Sequence, residues 1–271
     1  MQNIIVQLIC PDQKGIIAQL TTILYDSNNN ILSIEQHVDK KNEKFYIRVL
    51  AENNSNLFPK DELHSLSQKL NGELLLFNPD KKINVTIMGS LEEEQIYDLL
   101  IKNKSNELNC NIPILISNHN KLSSIAQKFD IHFSQISNCD ELDKILKKEQ
   151  IDLIVLARFM QIIPKKIVDN YPNKIINIHH GFLPAFKGAK PYHQAYNKGV
   201  KIVGATAHYV TDELDEGPII NQDVIHVNHK HSITDIINLG REIERAVLYR
   251  AVKAHLDHKI IIHNNKTIIF D

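Results

Sequence analysis

Cysteine is scarce: Cys10, Cys110 and Cys139 are the only three in 271 residues. They are odd in number and far apart, so the chain offers neither a disulfide framework nor the paired spacing of a structural zinc site, and reduced thiols are expected. Net charge is nearly absent, since 31 basic side chains face 32 acidic ones. Such balance supplies no global field for nucleic acid. No apolar run reaches the roughly 18 to 20 residues that span a bilayer, and Met1-Gln2-Asn3 lacks the basic start of a signal peptide. None of the 14 histidines belongs to an HExxH-type pair, so no metal ligand set is expected. These absences point to a cytoplasmic protein with no membrane or nucleic-acid partner.

What is present is ordinary soluble-protein composition, 43% hydrophobic and 23% charged, in a chain long enough for two modest domains. Residues 3–9 form an apolar strand, and Cys10-Pro11-Asp12-Gln13-Lys14-Gly15 turns into a helix over 16–27 that Asn28-Asn29-Asn30 breaks. Strands at 31–38 and 44–50, a helix at 59–70 and a strand at 73–77 complete a β-α-β-β-α-β order, that of a ferredoxin-like split unit. Polar Asn78-Pro79-Asp80-Lys81-Lys82 marks a boundary, dividing the chain into 1–80 and 81–271.

Beyond it, strands at 83–88, 112–117, 131–135 and 152–156 alternate with helices at 92–103, 121–129, 139–149 and 164–170. Nearly continuous apolar strands in such alternation predict an α/β fold with a mostly parallel, doubly wound sheet, whose ligands sit beyond the carboxyl ends of the strands. A strand follows over 174–179, then a Pro- and Gly-bearing connection and a strand over 200–209. A strand at 219–227 precedes a long helix opened by Ser232-Ile233-Thr234-Asp235. The charged residues of that helix, including Arg241, Glu242, Glu244 and Arg245, read as a solvated or subunit-facing surface. Strands at 260–262 and 267–270 flank His263-Asn264-Asn265-Lys266, a hairpin signature.

Chemistry concentrates between residues 175 and 218. Asn177 and His179 are two apart in a strand, so their side chains lean to one face while Ile176 and Ile178 lean to the other. The 200–209 strand runs into the acidic loop Thr211-Asp212-Glu213-Leu214-Asp215-Glu216-Gly217-Pro218. An amide, an imidazole and a carboxylate gathered from separate segments suit acyl chemistry, which needs donors for a developing oxyanion and an acceptor for the proton of the attacking group.

The wording is also specific. Asn177-Ile178-His179-His180, then Phe182-Leu183-Pro184-Ala185-Phe186-Lys187-Gly188, Gly204-Ala205-Thr206-Ala207-His208-Tyr209-Val210 and Asp212-Glu213-Leu214-Asp215-Glu216-Gly217-Pro218 resemble the folate-dependent formyltransferases, and among them the formyltetrahydrofolate deformylases. That resemblance implies a catalytic trio of Asn177, His179 and Asp215. It implies a pterin-pocket loop holding Phe159, Met160, Gln161 and Ile163, with 10-formyltetrahydrofolate as substrate and no required cofactor. The released formate would serve one-carbon and purine metabolism. The first unit, through Cys10-Pro11-Asp12-Gln13-Lys14-Gly15-Ile16-Ile17-Ala18, resembles an ACT domain, a module that commonly pairs with itself and often binds amino acids. Asp12 and Gly15 would border such an effector, and a homo-oligomer is expected. A purely structural dimerisation unit is the other reading of that module.

Two departures from the deformylase pattern stand out. Gly181 occupies a usual Ser position, and Glu92-Glu93-Glu94 replaces a stretch that usually contains His-Cys. The alternatives are a formyltransferase acting on glycinamide ribonucleotide or initiator methionyl-tRNA, and a catalytically inactive ACT-containing regulator. Three carboxylates at a helix start would repel the ribonucleotide phosphate. A tRNA enzyme would want a basic surface and a further C-terminal domain.

Overall fold

The computed structural model describes residues 2–53, 58–138, 141–186, 188 and 190–270. Strands Gln2–Pro11 (β1), Asn29–Asp39 (β2), Lys44–Asn53 (β3) and Glu73–Phe77 (β4) form an antiparallel sheet in the order β2-β3-β1-β4. Period-two alternation turns Val6, Leu8 and Cys10 to one face, where Phe45, Ile47 and Val49 join them. Helix Ile16–Asp26 (α1) closes on that face with Ile16, Leu20 and Leu24, spaced four apart on one stripe, and Lys60–Lys69 (α2) adds Leu63 and Leu66. The expected β-α-β-β-α-β order is present. Asn28, at φ 58°, ends the turn after α1, while Asn29 and Asn30 already belong to β2.

The second sheet has seven strands. Ile83–Gly89 (β5), Cys110–Ser117 (β6), His132–Gln135 (β7), Leu153–Ala157 (β8) and Ile175–His179 (β9) run parallel. The helices between them are Glu94–Lys104 (α3), Ser123–Lys128 (α4), Leu142–Lys148 (α5) and Lys165–Asn170 (α6). Residues 139 and 140, where the α5 helix was expected to begin, lie outside the described residues, as does Cys139; Cys10 and Cys110 are free and buried. Pro191–Lys198 (α7) then leads to Ile202–Tyr209 (β10) and Ile219–His226 (β11), both antiparallel to their neighbours. The order is β11-β10-β9-β8-β5-β6-β7, so the winding reverses between β5 and β8 and opens a crevice at their carboxyl ends. All five β8 residues are buried, as a strand covered on both faces requires. Helix α7 falls within what the sequence offers only as a Pro- and Gly-bearing connection; Pro191 stands at a first helical position, where its missing N–H costs nothing.

Helix Ile233–Leu256 (α8) starts as its capping box dictates, Asp235 N–H bonding Ser232 Oγ at 3.2 Å and Ser232 N–H bonding Asp235 Oδ2 at 2.8 Å. Beyond it, Ile260–His263 (β12) and Lys266–Ile269 (β13) pair across Asn264 and Asn265, both at positive φ as a tight hairpin demands. Residues 257–263 and 268–270 belong by their contacts with the first unit, not the second. Gln7 Nε2 and Arg48 Nε donate to the His258 carbonyl at 2.8 and 2.9 Å, and Arg48 Nη2 donates to that of Asp257 at 3.0 Å. The His258 ring stacks on Phe77 at 4.1 Å, while Ile261 and Phe270 join Ile9 and Tyr46. The first sheet is thereby covered on its second face. The sequence reading placed these residues in the second domain, because a hairpin signature is local and does not say which sheet the hairpin covers. Among the described residues no helix is long and apolar enough to cross a membrane.

Candidate active site

Strand pairing assembles the site. In the antiparallel β9–β10 ladder Asn177 stands opposite His208, and His179 opposite Thr206, so alternation brings Asn177, His179 and His208 to one face. His208 Nδ1 lies 2.8 Å from the Tyr209 carbonyl, which can only accept, so that nitrogen carries the proton. Burial holds the His208 imidazole below its ordinary value, outweighing the pull of Asp215. The ring is therefore neutral, and its free Nε2 accepts from Asn177 Nδ2 at 3.2 Å. One amide hydrogen of Asn177 is engaged in this way.

The loop after β10 brings back Asp215, whose φ of 57° lies in the left-handed region that non-glycine residues seldom occupy outside turns and functional sites. Its Oδ2 is 3.3 Å from His179 Nδ1, and its Oδ1 is 3.7 Å from His208 Nε2. Burial acts to raise the Asp215 carboxyl, but the His179 hydrogen bond, the attraction of that imidazole and the Gly188 N–H outweigh it and hold the group below the usual aspartate value. On the other edge of the His179 ring, Nε2 faces the Phe186 carbonyl at 3.4 Å. Lys187 and Ala189 of the same motif lie outside the described residues.

These three groups open into a cavity of about 310 Å³ at the carboxyl ends of β8 and β9. Phe159, Met160, Gln161 and Ile163 all border it. Phe159 and Ile163 are also part of the hydrophobic core, whereas Met160 is 59% exposed and its N–H is fixed to Ser90 Oγ at 3.1 Å. Asp12 and Gly15 lie elsewhere, in the turn between β1 and α1, where Asp12 N–H bonds the Glu43 carbonyl at 2.9 Å and Gly15 precedes the helix at φ 85°. Among the described residues no group of three or more His, Cys, Asp or Glu side chains is arranged to hold a metal ion.

Sequence reasoning assigned no role to His208, His180 or Arg158, which also line the cavity. Arg158, at φ 57°, donates through Nη1 to both oxygens of Glu244 at 3.0 Å. Glu244 is fully buried, which corrects its placement on a solvated surface. A signal was available, since Glu244 falls four residues after Gly240 and four before Leu248 on the buried stripe of α8. The Glu92-Glu93-Glu94 carboxylates are not bare either: Arg241 reaches Glu92 at 2.9 Å and Glu94 at 3.5 Å, and Lys121 reaches Glu93 at 3.1 Å. Their effect on a phosphate is thus to occupy the nearby cations, more than to repel the anion outright.

Comparison with known proteins agrees with this two-part build. Residues 4–57 match the ACT domain family, and residues 81–252 match the formyl transferase family. The formyltetrahydrofolate deformylase of Synechocystis sp. is 43% identical over the whole of both chains, and that of Escherichia coli K12 is 41% identical over 99% of each. The crystal structure of a formyltetrahydrofolate deformylase from Pseudomonas syringae pv. tomato superimposes with a TM-score of 0.96 at 37% identity, covering all of this chain and 95% of that one. With both regions matched and the likeness running from one end to the other, the chain belongs to the formyltetrahydrofolate deformylase family.

Proposed function

We propose that Asp215, His179 and Asn177 carry out the hydrolysis that defines this family, the conversion of 10-formyltetrahydrofolate to tetrahydrofolate and formate. The observation that carries the proposal is the convergence of the three side chains, from strand β9 and the loop after β10, on one cavity. Asp215, held as a carboxylate, accepts a proton from water as the water oxygen bonds to the formyl carbon. The second amide hydrogen of Asn177 and an N–H of His179 donate to the carbonyl oxygen as it becomes an oxyanion. Collapse of the tetrahedral centre breaks the C–N bond and releases formate. Phe159, Met160, Gln161 and Ile163 form the wall against which the pterin packs. The reaction so written requires only water and the folate, with no cofactor.

The first unit serves regulation and pairing. Its edge strand β2 exposes Leu32 and Ile34, and α1 leaves Tyr25 80% exposed, apolar surface that a second copy would cover. An amino acid seated beside Asp12 and Gly15 is the effector this module would take. Free, buried Cys10 and Cys110 suit a cytoplasmic location.

The direct test supplies purified protein with 10-formyltetrahydrofolate and no amine acceptor, following formate and tetrahydrofolate. Steady release of both is expected, at a rate unchanged by added glycinamide ribonucleotide, because Arg241 and Lys121 are already paired. Accumulation of formylated ribonucleotide would favour the transferase, and no turnover at all would favour the inactive regulator.

A further inference from the structure

Hydrolysis needs a group that holds water against the formyl carbon, and the trio leaves that task unfilled: Asp215 takes the proton, while Asn177 and His179 address the oxygen. His180 borders the same cavity. Its ring lies between those of His179 and Tyr192, with centroids 5.6 and 5.8 Å away. What stands behind it is hydrogen-bonded and closely packed. The Tyr192 hydroxyl donates to Glu244 at 2.8 Å, and the tyrosine nests against α8 only because residue 240 is glycine, where a Cβ would collide with the ring. Glu244 also takes Gln95 Nε2 at 2.9 Å and the two Arg158 bonds. One enclosed carboxylate thus backs both Arg158 and, through Tyr192, His180. Burial first, then the charges of Arg158 and His179, push the His180 imidazole down to about 3 against the opposing pull of Asp215. Such a ring keeps one N–H and one lone pair across the neutral range, so it can orient water without competing with Asp215 for its proton.

We propose, resting on the assignment of Asp215, His179 and Asn177 as the hydrolytic centre, that His180 is a further catalytic residue that holds the attacking water in the cavity. In the step the water oxygen bonds to the formyl carbon and one water proton passes to Asp215. The C–N bond then breaks with its electron pair on nitrogen, which takes up a proton, and formate departs. His180 contributes hydrogen bonds and exchanges no proton.

The experiment compares nucleophiles. Hydroxylamine attacks the same formyl carbon, giving formohydroxamic acid and tetrahydrofolate, and does not depend on a seat made for water. His180→Ala is expected to lower kcat for formate release about 100-fold with KM within about twofold, and His180→Gln, which can still hydrogen-bond, to recover about tenfold of that loss. The ratio of formohydroxamate to formate should rise at least about tenfold in His180→Ala relative to the unaltered enzyme. Should His180→Ala fail to fold, judged by circular dichroism, the same ratio is read in His180→Gln, where a rise of severalfold is expected. An unchanged ratio in the folded variants overturns the proposal, as does formate release at the unaltered rate. The parallel variant Asp215→Asn separates the two layers: retained turnover there defeats the underlying assignment, whereas its loss alongside an unchanged His180 ratio defeats the water-holding role alone.

Discussion

A Cβ on Gly181 would stand 2.8 Å from Nε2 of His179, and 3.0 Å from Cβ of Pro191. The backbone there cannot easily withdraw, because Thr206 Oγ1 donates to the Gly181 carbonyl at 2.8 Å while accepting from Leu183 N–H at 3.1 Å and Gln222 Nε2 at 2.9 Å. In this chain the imidazole occupies room that a larger residue would claim. Gly181→Ser should therefore turn the ring away from Asp215, lowering kcat by about 10- to 100-fold. It should also cost about 1–3 kcal/mol of unfolding free energy through crowding. Steady-state kinetics and urea denaturation measure the two effects, and an unaltered kcat would show that the ring yields freely.

Asp215→Asn should abolish most turnover, a loss of about 100- to 10,000-fold, while folate binding by fluorescence titration changes little. The direction of the Asp215 shift also fixes where acid should matter. A carboxyl held below its ordinary 3.8 stays ionised until the pH falls through that lowered value, so both its catalytic form and its contribution to stability are present above 3.8 and lost only below it. The pH dependence of kcat/KM should show no Asp215 limb between pH 5 and 8. A single inflection in that range that disappears in Asp215→Asn would show that the carboxyl is not held below its ordinary value.

Arg158 and Glu244 should prove strongly coupled. Glu244→Ala leaves a largely buried guanidinium without its carboxylate and should cost about 3–5 kcal/mol, whereas Arg158→Met combined with Glu244→Gln should cost clearly less than the two single changes added together. Denaturant titration of the four proteins gives the coupling energy. Additive losses would mean that the pair is incidental.

The exposed apolar edge of the first unit leads to a prediction about mass. Analytical ultracentrifugation of the full chain should return a multiple of 31.1 kDa that persists on dilution into the micromolar range. Leu32→Lys with Ile34→Lys, on the exposed side of β2, should shift it toward a single chain. A single-chain mass for the unaltered protein would exclude pairing.

Much of this architecture is legible in local pattern. Mostly apolar runs at 3–9, 44–50 and 152–156, the Ser232–Asp235 box and the Asn264-Asn265 turn each specify their element with little help from elsewhere. The two-residue spacing of Asn177 and His179 fixes their shared face for the same reason. What stays hidden depends on partners remote in sequence. Glu244 reads as solvent-facing until Arg158, 86 positions earlier, and Gln95, 149 positions earlier, are brought to it. His208 is an unremarkable strand residue until β9 pairs beside it. Pro191 illustrates a different failure, in which one residue type both stops chains and starts helices.

The return of residues 257–270 to the first sheet sets an order of events during synthesis. The strands of that sheet leave the ribosome early, yet the segment that covers Gln7, Tyr46 and Arg48 follows residues 82–256. At about 5–20 residues per second, the intervening stretch takes roughly 10–35 s to emerge. For that interval the nascent module presents a half-clothed sheet, with the Arg48 guanidinium still lacking its carbonyl partners. The unit whose strands are translated before residues 82–256 is thus completed only after them.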